Sequence, residues 1–188
     1  MEGGSEMKRK AFWLAILVIL SLPVFAGRIV YTVDPSTASP QPATVVAGGE
    51  GEVKVIFNAS QLESGMVFTF TLDLTARGDN VAYPVTVGFK EKGNKKDLDI
   101  AFEPAELTLG DGTTPVSTLV TVTLPEDDYT DVKKLKTKFK VDAPKGAHLG
   151  NSAGVKVIII KAATAQEFLE AVTEEIGDLV IPEQIETK

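Results

Sequence analysis

Few residues in this chain have the type and spacing to do chemistry. His148 is the one histidine and there is no cysteine, so a zinc centre built from the usual nitrogen and sulfur ligands is excluded. His148 stands in a glycine-rich turn, with no neighbour that suggests a base beside a nucleophile, and a serine triad is not expected. No glycine-rich loop opens a helix carrying a lysine, so nucleotide binding has no support. With 26 acidic residues in the chain, carboxylate pairs arise by number alone and do not single out a glycosidase. The expectation is a protein that is not an enzyme.

Two polar patterns retain some content. Glu126-Asp127-Asp128-Tyr129-Thr130-Asp131 is a dense acidic loop, and calcium takes several oxygen ligands from loops of that kind. Asp127, Asp128 and Asp131 are the candidate ligands, with Asp111 and Asp79 on turns that could lie nearby; the competing reading is a solvated acidic turn. No other cofactor is expected. Asn58-Ala59-Ser60 is the one glycosylation sequon, which makes Asn58 the candidate acceptor. Aromatic platforms for sugars are scarce: the only tryptophan is Trp13, leaving Tyr83 and Tyr129.

The elements that must position these groups begin after a leader. Lys8-Arg9-Lys10 runs into the apolar stretch Ala11–Leu22, followed by Pro23 and the small-residue pattern Val24-Phe25-Ala26. That order is the secretory signal arrangement, with cleavage expected before Gly27 and an uncleaved anchor as the alternative. Glu2 and Glu6 are unusual ahead of such a basic region, so Met7 is a second candidate start. The apolar stretch is short for a membrane helix, which needs about 20 residues. An exported chain without cysteine must draw its stability from a core, from assembly or from ions, and fits a prokaryotic source. Its net charge of −7 argues against nucleic acid and anionic lipid as partners.

From Arg28 to Ala162 the dominant period is two. In Val67–Thr75 the residues Phe68, Phe70, Leu72 and Leu74 share one face, and Thr69, Thr71, Asp73 and Thr75 share the other. The same alternation marks 53–57, 85–89, 98–102, 120–124 and 135–141, the last with lysines on its wet face. With 29–33, 106–109 and 155–160 there are about nine candidate strands. Short strands punctuated by Gly48-Gly49-Glu50-Gly51, Arg77-Gly78-Asp79-Asn80, Lys92-Gly93-Asn94 and Gly110-Asp111-Gly112 predict an all-β antiparallel sandwich. Pro35, Pro40 and Pro42 lie in a piece that is either a linker or an irregular edge segment. Past Lys161 the period becomes helical: Phe168, Leu169, Val172 and Ile176 form the apolar row, Thr164 the N-cap and Gly177 the stop. The expected organisation is a signal peptide at 1–26, a sandwich at 27–162, and a short amphipathic helix with its tail at 163–188.

Val33-Asp34-Pro35, then Val46–Asn58, and later Phe102-Glu103-Pro104 through Leu124-Pro125 carry a proline, valine-x-valine and glycine-turn pattern. It resembles the immunoglobulin-like or fibronectin-III-like domains of bacterial and archaeal surface proteins over roughly residues 29 to 161. The helical tail and the lack of an aromatic near Gly150 depart from it. The resemblance implies an immunoglobulin-like sandwich of about 7–9 strands and a role in adhesion, spacing or assembly.

The edges of the domain suggest how assembly would occur. Ile29, Tyr31 and Val33 lie in a β-prone strand at the expected cleavage point, followed by the proline-rich piece. Val157–Ile160 is apolar on both faces and must be covered on both, by the tail helix or by another subunit. A tethered N-terminal strand and an open sheet edge are the parts needed for strand donation between copies. The alternative is that Ile29–Val33 is the first strand of its own sheet. The functional expectation is a secreted structural or adhesive surface protein, associating with itself or with other surface proteins, with no membrane contact once mature. An exported monomeric module that binds a carbohydrate or a calcium-dependent ligand through its loops is the alternative.

Overall fold

The computed structural model describes residues 27–47, 52–78, 80–92, 98–150 and 154–176. The leader, the Gly48–Gly51 turn, Asp79, Gly177 and the tail beyond it lie outside the described residues. Alternating apolar residues produce ten described strands: β1 (Arg28–Val33), β2 (Ala43–Ala47), β3 (Val53–Ala59), β4 (Val67–Arg77), β5 (Val85–Glu91), β6 (Asp99–Glu103), β7 (Leu107–Leu109), β8 (Val116–Thr123), β9 (Lys134–Asp142) and β10 (Val155–Lys161). They form a four-stranded sheet in the order β1-β4-β8-β6 and a six-stranded sheet in the order β2-β3-β10-β9-β5-β7. Over the described residues the fold is a β-sandwich with one α-helix.

Period two decides what faces inward. On β4, Phe68, Phe70, Leu72, Leu74 and Ala76 are buried while the residues between them are partly open. Aromatic rings tie the sheets together. Phe57 of β3 meets Phe68 edge-on at 5.2 Å, and Phe89 of β5 stacks on Phe102 of β6 at 4.2 Å. Such pairs add about 0.5–1.5 kcal/mol to the area they bury.

Two features depart from the sequence reading. β3 and β10 pair in parallel, from Val155 opposite Val53 to Lys161 opposite Ala59, although every other named pair is antiparallel. A parallel pair needs a long connection rather than a tight turn, and the intervening strands β4 to β9 supply it by passing through both sheets. β2 is the strand that alternation alone does not reveal. The proline-rich piece before it is held to the domain: Asp34 caps a 3₁₀ turn at Pro35–Thr37, and Ser39 exchanges backbone hydrogen bonds with Thr69 at 2.9 and 2.8 Å.

β10 is covered on both faces within the chain. Val155, Val157 and Ile159 join the main core; Ile158 and Ile160, with Ile56 of β3, form a second cluster with Phe168 and Val172 of helix α1 (Ala165–Ile176). Thr164 Oγ1 accepts from the Glu167 N–H (3.2 Å), and Glu167 reaches back to the Ala163 N–H (2.9 Å), which fixes the helix start. Leu169 does not belong to the buried row; it is 62% exposed, because one step from Phe168 turns it about 100° round the helix. The last turn is held by charge. The buried Glu175 carboxylate pairs with Lys134 and Lys136, and Lys54 Nζ donates to the Glu175 carbonyl at 2.6 Å. Burial alone would raise the Glu175 carboxyl, but the two ammonium groups outweigh it and hold it below the ordinary 4.5.

A carboxyl lowered by folding stabilises the fold above its unfolded value, and the contribution is lost as pH falls through the lowered one. Acidification below about pH 4.5 should therefore loosen α1 before the sandwich. Hydrogen exchange of the 165–176 amides should rise there relative to β4. In Glu175→Gln the helix should already exchange faster at neutral pH, with a flatter acid response; superimposable pH profiles would remove this role for Glu175. In the core, Phe70→Ala should cost about 3–5 kcal/mol through the cavity it leaves, while Thr71→Ala on the outer face should cost under about 0.5 kcal/mol. Denaturant midpoints distinguish them.

Candidate functional site

The first strand is where sequence and geometry converge. β1 lies at the edge of the four-stranded sheet and pairs antiparallel with β4, from Arg28 opposite Arg77 to Val33 opposite Leu72. Alternation turns Ile29, Tyr31 and Val33 inward, and all three are buried in the main core. The Tyr31 hydroxyl crosses the sandwich and accepts from the Val141 N–H of β9 at 3.0 Å. Gly27, just ahead of the strand, donates its N–H to the His148 carbonyl and accepts from the Gly150 N–H, both at 2.7 Å. A Cβ there would lie 2.1 Å from a Val81 methyl, so any larger residue would have to displace that side chain. Between β1 and β3 a cleft of about 310 Å³ opens, lined by Ile29, Tyr31 and Val53 with the exposed Arg28 and Arg77 beside them. Glu52 also lines it, so the cleft is apolar at its floor and charged at its rim; an edge strand can exchange main-chain bonds and side-chain pockets with an extended peptide.

Of the calcium candidates, Asp79 lies outside the described residues. Among the described residues no group of three or more His, Asp or Glu is placed to hold a metal ion. The acidic loop spends its carboxylates on itself: Asp127 Oδ1 accepts from the Asp128 N–H, and Asp128 Oδ1 from the N–H and hydroxyl of Thr130. Short acidic side chains favour such bonds to nearby backbone. Asp111 does the same in its own turn, where the N–H and hydroxyl groups of Thr114 and Thr113 hold its carboxyl far below the usual range. Asp131 joins neither set of loop bonds.

Asn58 lies within β3 rather than on a loop, and its Oδ1 is enclosed with no hydrogen-bond partner. Tyr129 is buried with its hydroxyl donating to the Pro125 carbonyl (3.1 Å), and the half-buried Tyr83 donates to the Ala76 carbonyl (2.9 Å). Tyr129 therefore presents no open ring to a sugar. Setting a serine triad aside passes over one motif: Gly150-Asn151-Ser152-Ala153-Gly154 has the spacing of a nucleophile elbow. Residues 151–153 lie outside the described ones. Gly154 leads into strand β10, whereas the elbow requires a strand-to-helix turn. Among the described residues no helix is long and apolar enough to cross a membrane.

No protein-family model and no curated protein matches the chain. Among solved structures it is similar to the E. coli chaperone DraB, at 14% identity over 65% of this chain and 57% of that one, with a TM-score of 0.37. It is also similar to the DNA-binding domain of C. elegans Cep-1, at 8% identity over 80% of this chain and 97% of that one, with a TM-score of 0.39. The chain thus spans little more than half the length of DraB.

Tyr31→Phe keeps the ring and removes the acceptor of a buried backbone N–H. It should cost about 1–3 kcal/mol, read as a lowered urea midpoint; an unchanged midpoint would show that the inter-sheet bond contributes nothing to holding β1.

Proposed function

We propose that this chain is an exported, non-catalytic structural protein of the cell surface. Its immunoglobulin-like sandwich assembles with other copies by exchange of β1. The observation that carries the reading is the position of β1: an edge strand, paired on one side only, whose inward row Ile29, Tyr31 and Val33 is wholly core. Removing it would uncover an apolar groove that an identical strand from a second copy fits by construction. A donated strand makes a head-to-tail contact that does not close, and so extends into a filament. The strand order supports the immunoglobulin-like assignment, since β1-β4-β8-β6 and β10-β9-β5 follow the ABED and GFC sheets of that fold. The basic and apolar leader supports export, and the −7 net charge suits a surface-exposed protein.

The test is a form of 27–188 lacking residues 27–34. It should stay folded, lose the fibres that the full 27–188 form shows by electron microscopy, and melt higher when the missing peptide is added in trans. A peptide with Ile29→Asp and Val33→Asp should fail to bind, because each carboxylate would be buried without a partner. A truncated protein that unfolds and is not rescued makes β1 an ordinary first strand and removes the exchange reading.

A further inference from the structure

The open side of β1 gathers positive charge over an apolar floor. Arg28 of β1 stands directly opposite Arg77 of β4, and both side chains are exposed. Like charges directly opposite destabilise an antiparallel pair, so an anion beside them would relieve it. Among the described residues no carboxylate lies within ion-pair distance of either arginine. Glu52 lines the same cleft but pairs with Lys138 Nζ at 2.5 Å. Asp73 is two rungs further along the outer face, where it accepts from the Ser117 hydroxyl at 2.6 Å. Asp79 is outside the described residues.

Beneath the arginines the cleft is floored by Ile29, Tyr31 and Val53. Its volume of about 310 Å³ suits a few side chains, not a second domain. Because β1 is paired on one side only, its other side offers a row of backbone donors and acceptors. The matching ligand is an extended segment with apolar residues for the floor and carboxylates for the two arginines.

The chain carries such a segment. Asp178-Leu179-Val180-Ile181-Pro182-Glu183 sets three β-prone apolar residues between acids, and Pro182, which has no N–H, would end any pairing. Its starting point is fixed by the clasp on α1. Lys54 Nζ holds the Glu175 carbonyl at 2.6 Å, and Lys54 follows Val53 at the start of β3. The end of α1 is therefore one lysine side chain and one residue from the cleft wall. Residues 177 to 183 span up to about 25 Å when extended, which suffices to round the start of β3.

We propose that residues 178–183 of the chain's own tail lie along the open side of β1, with their apolar side chains in the cleft and Asp178 and Glu183 against Arg28 and Arg77. A short tether gives the tail an effective concentration in the millimolar range, which favours it over the tail of a second copy. The contact needs only β1, β4 and β3 side by side, so it does not rest on β1 exchange.

A charge swap in the 27–188 form tests it, at a dilution where the protein sediments as a monomer. One variant carries Arg28→Glu and Arg77→Glu, a second carries Asp178→Lys and Glu183→Lys, and a third carries all four. Hydrogen exchange of the 28–33 amides should rise about tenfold in each of the first two and return toward the wild-type rate in the third. The β8 amides should exchange alike in all, which confirms the fold. The tail variant leaves the sandwich untouched, so a rise there reports the contact itself. Unchanged β1 exchange in the tail variant, or no recovery in the third, would overturn the proposal. Protection of β1 that appears only in concentration-dependent dimers would overturn it in favour of a second copy's tail. Fibres that vanish on deleting 27–34, with β1 exchange indifferent to the tail, would leave strand exchange standing and remove only this contact.

Discussion

Ile158 and Ile160 cannot face water, and much of the architecture follows from that. Alternation along β10 sends Val157 and Ile159 into the core, so the isoleucines between them need a second cover. A strand apolar on both sides belongs in the interior of a sheet, and β10 lies between β3 and β9. Its parallel run beside β3 brings Ile56 next to Ile158, which widens the apolar strip enough for one helix to rest on it. The helix in turn ends where Glu175 can meet lysines from β9 and β3. With no cysteine in the chain, two apolar layers and this charged clasp do what cross-links do in disulfide-bonded domains.

Period two made most strands legible, because a half-buried strand writes its two faces into alternate residues. Phe68, Phe70, Leu72 and Leu74 could be placed inward on that ground alone. β2 could not, since Ala43-Thr44-Val45-Val46-Ala47 at a sheet edge has little alternation to display. The helix row was legible except at Leu169, where helical spacing tolerates a neighbour on the margin and only docking decides. Register was beyond reach. Nothing local says that Lys156 stands opposite Lys54 and Lys138, because that depends on which of ten strands become neighbours.

The acidic loop is instructive for a different reason. Composition identified Asp127, Asp128 and Asp131 as oxygen donors, but a short carboxylate near a turn competes for backbone N–H groups. In this loop, as at Asp111, such local bonds form. The β1 row shows the converse. Ile29, Tyr31 and Val33 were conspicuous as an apolar strand, but the bond from Val141 N–H to the Tyr31 hydroxyl joins residues far apart in sequence and depends on the sheets being stacked.

The cover over β10 also bears on misfolding. Val157-Ile158-Ile159-Ile160 is an uncharged, proline-free run of β-branched residues, the composition that stacks into cross-β fibres once it is exposed. Lys156 and Lys161 flank it as charged gatekeepers, neighbouring strands occupy both its edges, and α1 closes its outer face. This amyloid-prone segment thus lies in the middle of its sheet, away from either edge strand. Fibres that formed only after α1 had come away would be amyloid, recognisable by their cross-β spacing of about 4.7 Å.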